Sequence, residues 1–186
     1  MSNTQGAEGC FRRFLQGDPG GFEDIIGLYK DNLICFLNRY VHNIDTAEDL
    51  AAEAFAELYV HRARYRFGGN FKTYLFAIGK HKAAHYLRKH ARVVPVGAQV
   101  EPDWPDTNGP ETALLRNERD RALHAAMERL TTDYRAVLHL LYFEQLSYAD
   151  AAKVLGKSKK QIDNLAYRAK GALKLLLQEE GFPDEI

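Results

Sequence analysis

The chain has 186 residues, 46% of them hydrophobic, with 25 basic and 25 acidic side chains and a formal net charge of zero. That composition can bury one modest core or two small ones, and it excludes a disordered chain. No apolar run is long enough to form a transmembrane helix, so no membrane contact by the chain itself is expected.

The N-terminus, Met1-Ser2-Asn3-Thr4-Gln5-Gly6, carries neither a basic nor an apolar leader segment, so no secretory signal is expected. Cys10 and Cys35 are too few and too separate for a disulfide framework or a CxxC zinc site, which fits a reducing cytoplasm. Cys35, between Ile34 and Phe36, reads as core packing. From Phe22 to His42 the apolar residues Ile25, Ile26, Leu28, Tyr29, Leu33, Phe36, Leu37 and Tyr40 recur as one face of a long helix. A second helix is expected from Asp45, as N-cap, to about His61, with Ala47, Leu50, Ala51, Ala54 and Leu58 inward. Asp45, Asp49, Glu53 and Glu57 recur every fourth residue and form an acidic stripe, which by itself reads as a solvated face. Gly68-Gly69-Asn70 then breaks the chain, and Asn70 can cap a third helix from Phe71 to about His90.

Location of charge reverses what the net charge suggests. Residues 1–60 hold ten acids and four bases, whereas residues 61–92 hold nine bases and no acid. Tyr65, Phe67, Phe71, Tyr74, Phe76 and Tyr86 are interleaved with those bases. Cations for phosphates together with ring faces for unstacked bases suit single-stranded nucleic acid.

Residues 93–112 contain four of the six prolines, two glycines, four acids and no base, and they read as an extended linker. Beyond it, helices are expected near 112–130, 132–144, 147–155 and 158–178. Ser147 starts a short helix that stops at Gly156, and Ser158-Lys159-Lys160-Gln161 opens the next with the form of a capping box. In that last helix Ile162, Leu165, Ala166, Ala169, Leu173 and Leu176 share one face, while Lys159, Lys160, Asn164, Tyr167, Arg168 and Lys170 share the other. A short helix, a glycine turn and a longer basic helix make a helix-turn-helix, which inserts the second helix into the major groove. The expected architecture is all-α: two small helical domains, 1–92 and 113–186, joined by a Pro-rich acidic linker.

These residues resemble the extracytoplasmic-function (ECF) sigma factors of bacterial RNA polymerase. Gly17-Asp18 with Phe22-Glu23, then Thr46-Ala47-Glu48-Asp49-Leu50 with Glu53 and Phe55, is similar to the family's opening. Phe71-Lys72-Thr73-Tyr74-Leu75-Phe76-Ala77-Ile78-Gly79-Lys80 resembles its promoter-melting helix. Leu138 to Leu173, with Glu144-Gln145-Leu146-Ser147-Tyr148 and Tyr167-Arg168-Ala169-Lys170, resembles its C-terminal helix-turn-helix.

The resemblance implies a non-enzymatic sigma subunit, without cofactor or metal, that binds core RNA polymerase and promoter DNA in the cytoplasm. It places Asp49 and Glu53 of the stripe Asp45, Asp49, Glu53 and Glu57 on polymerase. With that function, Arg64, Tyr65, Arg66, Phe67, Asn70, Lys72, Tyr74, Lys80, His81, Lys82, His85, Arg88 and Lys89 of the basic, aromatic segment are expected at the −10 element. The loop Tyr65–Asn70 is expected to offer a pocket for an extruded base. Ser158, Lys159, Lys160, Gln161, Asn164 and Arg168 are expected at the −35 element. The family also commonly pairs with anti-sigma factors, although no residue here marks a surface for one. Ala52 stands where the family often has Gln, and His81 and His85 replace the usual Asn and Asp. Asp163, Asn164 and Leu165 replace a common Lys-Ser-Arg run, so a promoter sequence is not carried over.

Other readings fare less well. His81 and His85 have the i, i+4 spacing of a zinc pair, but no Glu lies between them and no Cys is near. No Walker loop or GxSxG is present. The main alternative is a two-domain helix-turn-helix regulator that binds duplex DNA without polymerase, which would not call for the basic, aromatic segment 61–92. A helical adaptor is a third class.

Overall fold

The computed structural model describes residues 3–90 and 112–181, and among them every regular element is helical. The linker expected over 93–112 lies outside the described residues, except that Thr112 opens a helix.

The N-terminal half holds α1 (Asn3–Leu15), α2 (Gly20–Val41), α3 (Ile44–Val60) and α4 (Phe71–His90), with a 3₁₀ turn at Arg62–Arg64. Helix α1 was not expected from periodicity. It contributes Phe11 and Phe14 to an aromatic cluster, with Phe11 within 5.1 Å of Phe71 and 5.3 Å of Tyr65, ring centre to ring centre. The turn into α2 uses Gly17 at φ 97° and Asp18, whose carboxylate accepts from the Gly20 N–H at 2.9 Å and from Arg13 at 3.1 Å. Gly21 lets α2 approach α1: a Cβ there would lie 2.7 Å from the Phe14 nitrogen and overlap the Cys10 carbonyl.

Asn43 caps α3, its side chain accepting from the Thr46 N–H at 2.8 Å, so Asp45 is not the N-cap that the sequence suggests. The residue before it, His42, ends α2 in the left-handed region at φ 52°, so the chain reverses and is capped within two residues. Asp45 falls instead in the first turn, where the helix dipole favours a carboxylate. Ala47, Leu50, Ala51, Ala54 and Leu58 are buried as the pattern requires. Leu28 is the exception on α2, 38% exposed at the rim of the apolar face. Helix α4 crosses α2 closely at Gly79, where a Cβ would stand 2.9 Å from a Leu33 methyl.

The C-terminal half holds α5 (Thr112–Arg129), α6 (Thr132–Leu138), α7 (Tyr148–Leu155) and α8 (Lys159–Glu179). The single helix expected over 132–144 is instead α6 followed by a π turn at His139–Phe143. The wider turn lets the Glu144 N–H donate to the His139 carbonyl at 3.0 Å and sets the Glu144 side chain over His139. Gln145, at φ 54°, then turns the chain toward α7.

The halves do not stand apart. Helix α7 packs on α4 and α6 packs on α2, and one continuous buried cluster runs from Ala7 to Ala169.

Candidate nucleic-acid interface

Helix α4 is buried at its start and open at its end. Phe71, Thr73, Leu75, Phe76, Ile78 and Gly79 lie in the core, whereas His81, His85, Arg88 and Lys89 are exposed. Lys80 and Lys82 are half-buried. In the loop before α4, Arg64, Arg66 and Phe67 are exposed, and the Arg12 guanidinium lies 4.5 Å from the centre of the Phe67 ring. This basic, partly aromatic ridge can meet phosphates and bases.

Other members of the expected −10 set are committed elsewhere. Tyr65 is 7% exposed, and its hydroxyl lies 3.0 Å from both a Glu8 carboxylate oxygen and the Gly69 carbonyl. Burial, with the Glu8 contact, holds that hydroxyl above its ordinary range. In this arrangement the Tyr65–Asn70 loop is therefore not an open pocket: Tyr65 is part of the core beside Phe11 and Phe71, and Phe67 is the ring it presents. Asn70 accepts weakly from the Thr73 N–H at 3.4 Å, and the half-buried Tyr74 packs 5.2 Å from Tyr65. Lys72, 15% exposed at its side chain, is bound to Glu144 at 2.8 Å.

Asp45, Asp49 and Glu53 are exposed on the outer face of α3, with Glu57 half-buried beside them. Lys82 reaches across from α4 to Glu57 at 2.9 Å and Glu53 at 3.6 Å. The end of the acidic stripe is thus partly neutralised by a base that the sequence reading gave to DNA.

In the helix-turn-helix, Ser147 caps α7, accepting from the Asp150 N–H at 3.1 Å, and Gly156 ends it at φ 65°. Ser158 and Gln161 form a reciprocal box at the start of α8: the Gln161 N–H reaches the Ser158 hydroxyl at 3.2 Å, and the Ser158 N–H reaches the Gln161 carbonyl oxygen at 2.7 Å. Lys159, Lys160, Asn164, Tyr167 and Arg168 are exposed on the outer face. Lys159 and Lys160 open a 21-residue helix, whose positive end is a favourable site for phosphate, and Asn164, Tyr167 and Arg168 continue the same exposed face along it. An open recess lined by Tyr134, Lys157, Gln161, Asn164, Leu165 and Arg168 borders them.

Two carboxylates at the junction of the halves had no assigned role in the sequence, although Glu144 stands in the motif quoted for the family resemblance. Glu144, 4% exposed, accepts from Lys72 at 2.8 Å and from Asn32 at 3.0 and 3.1 Å, and lies 3.2 Å from Nε2 of the buried His139. Burial alone would raise its pKa, but contacts with His139, Lys72 and Asn32 outweigh that and hold it at about 2. Glu128 binds Arg39 and Arg135, each at 2.7 Å, and lies 3.5 Å from His42. It too is held at about 2, first by His42, against burial, and then by the charges of Arg135 and Arg39. One signal for these hubs was present: Arg39, Arg135 and His139 sit at inward positions of otherwise apolar faces.

Among the described residues no group of His, Cys, Asp and Glu is arranged to hold a metal, and no helix is long and apolar enough to cross a membrane.

Two family models match the chain. Sigma-70 region 2 matches residues 13–93, and Sigma-70 region 4 matches residues 120–173. The RNA polymerase sigma-H factor of Pseudomonas aeruginosa is 29% identical over 175 residues, covering 89% of this chain and 91% of that protein. The ECF sigma factor SigW of Bacillus subtilis is 26% identical over 181 residues, covering 90% and 95%. Among solved structures, the sigma factor RpoE of Bartonella quintana, in complex with the anti-sigma factor NepR, superposes with a TM-score of 0.71 at 24% identity, covering 84% of this chain and 96% of that one. CnrH, in complex with the cytosolic domain of CnrY, gives 0.63 at 20% identity, covering 95% and 97%. With both regions present in family order on a two-part helical fold, the chain belongs to the sigma-70 family as an ECF-type sigma factor, a subunit that works with RNA polymerase in promoter recognition.

Proposed function

We propose that residues 1–92 dock on core polymerase and read and melt the −10 element, that residues 93–112 link the two halves, and that residues 113–186 read the −35 element as duplex. The exposed outer face of α8 carries this reading, with Lys159 and Lys160 at the positive end of a long helix and Asn164 and Arg168 following along the same face. The acids Asp45, Asp49, Glu53 and Glu57 serve core polymerase. Arg64, Arg66, Phe67, Lys80, His81, His85, Arg88 and Lys89 serve the −10 strand as placed, while Tyr65, Lys72, Tyr74, Asn70 and Lys82 require their present contacts to be exchanged. Unstacking a base costs a few kcal/mol and stacking on a ring returns about 1–3 kcal/mol per base, so rings and cations act together. The protein acts without catalysing a reaction, in the cytoplasm where polymerase is found, and it takes an anti-sigma protein of the kind that RpoE binds.

Run-off transcription with purified core polymerase on a genomic fragment library tests the whole reading. A promoter-specific transcript that depends on this chain is expected, and Asp49→Lys with Glu53→Lys should abolish capture of core. Duplex binding without core capture would instead establish a regulator independent of polymerase.

A further inference from the structure

Helix α1 lies outside the DNA surface drawn from the sequence, yet it carries two neighbouring exposed arginines in different circumstances. Phe11 and Phe14 bury the other side of α1 and fix it on the core. The Arg13 guanidinium is taken up by Asp24 at 2.6 Å and Asp18 at 3.1 Å. Arg12 has no carboxylate partner among the described residues; its guanidinium stands over the Phe67 ring, 4.5 Å from the ring centre.

The loop that carries this ring is held in place. Tyr65 is buried and packs nearly perpendicular to Phe67, ring centres 5.3 Å apart, and its hydroxyl lies 3.0 Å from the Gly69 carbonyl. Gly68 turns the chain at φ 99°, and a Cβ at Gly68 or Gly69 would meet nothing within 4 Å, so the loop faces open space at both positions. Phe67 is 39% exposed there, Arg64 and Arg66 are exposed on either side of Tyr65, and no acid occurs between residues 61 and 92. A guanidinium lying on a ring keeps the N–H groups of its edge for an anion, which one paired with carboxylates does not. A ring face for a base and a cation for its phosphate are the two parts of a single-strand site.

Resting on the sigma reading, we propose that Arg12 is a further residue of the −10 surface, holding Phe67 as the ring on which one unstacked base lies and donating to a phosphate of the same strand. Because every base has a π face, Arg12 sets affinity for the opened strand rather than the choice of base.

The test is binding of the holoenzyme, formed with purified core, to a forked fragment of a promoter recovered by run-off transcription, its −10 non-template strand left single. Arg12→Gln should weaken binding about tenfold and lower the slope of log affinity against log salt by about 0.7, the share of one phosphate on a single strand. Arg12→Lys should keep the slope and recover only part of the affinity, because an ammonium does not stack as a guanidinium does. On a Phe67→Leu background Arg12→Gln should cost no more than about twofold, since the ring no longer places the charge. Arg13→Gln should leave the slope unchanged. An unmoved Arg12→Gln, or a loss of affinity at constant slope, would overturn the proposal, the second result marking a merely structural role. Loss of core capture by Arg12→Gln would overturn it too, by placing the guanidinium on polymerase. Core capture and run-off by wild type are scored separately: their failure removes the sigma reading, whereas capture with an unmoved Arg12→Gln removes only the role of Arg12.

Discussion

The Lys82 ammonium lies 2.9 Å from the Glu57 carboxylate and ties α4 to α3 across the face where the proposed polymerase and −10 surfaces adjoin. The Glu57 hydrogen bond raises the Lys82 pKa, against the opposing effect of burial. Both side chains keep access to water, so the pair contributes little to folding, about 0–1 kcal/mol. Lys82→Met should therefore lower the urea midpoint only slightly and leave the slope unchanged. If its DNA role is correct, the same variant should reduce promoter opening, measured by permanganate reactivity of the −10 strand, while core capture persists.

Gly21 and Gly79 both permit close helix crossings, but with different neighbours. At Gly21 the obstacle is the backbone of α1; at Gly79 it is the methyl of Leu33, which can rotate. Gly21→Ala should cost about 1–3 kcal/mol through overpacking. Gly79→Ala should stay within about 1 kcal/mol of wild type, since alanine's helix propensity offsets the local shift. Equilibrium denaturation of the two variants distinguishes these costs, and an equal loss would mean that α1 can slide away from α2.

At the recognition helix, the Gln161 carbonyl oxygen is already occupied by the Ser158 N–H, whereas the exposed Asn164 makes no contact of that kind in the capping box. Gln161→Ala should act mainly on stability, by about 1 kcal/mol for a lost cap interaction. Asn164→Ala should change the preferred −35 base by about 1–3 kcal/mol with little effect on folding. Binding to a randomised duplex library, paired with thermal melts, separates the two roles.

Acid should weaken the fold in two steps. His139 is kept neutral chiefly by burial, with Glu144 pulling the other way and Arg39 and Lys72 adding to the effect of burial. Its folded pKa lies below the usual 6.5, so its share of stability is complete above that pH and is lost as pH falls below it. Glu144 and Glu128 are held at about 2 rather than 4.5, so their share is complete above 4.5 and is lost as pH falls from 4.5 toward 2. One proton changes stability by at most about 1.4 kcal/mol per pH unit. His139→Phe should remove the upper step and Glu144→Gln should flatten the lower one in a pH series of denaturation midpoints.

The contrast between Ser158 and Tyr65 shows what could be read from the chain alone. The cap at Ser158, the turn at Gly156 and the buried stripe Ile162, Ala166 and Ala169 depend on residues within a few positions of one another, so sequence by itself determined the helices and the helix-turn-helix. The same local rules also placed the family motifs in order. They failed where local candidates competed, as at Asn43 against Asp45, and where α1 offered too short an apolar pattern.

Only the tertiary structure decided which charges are free. Tyr65 looks like a base-stacking ring until Glu8, 57 positions away, accepts its hydroxyl. Lys72 looks like a phosphate contact until Glu144, 72 positions away, binds it at 2.8 Å. Periodicity reports which side of a helix is apolar, not which partner covers it. The burial and pairing of polar groups follow from contacts between distant segments, and those contacts turn two helix-rich halves into one closed body.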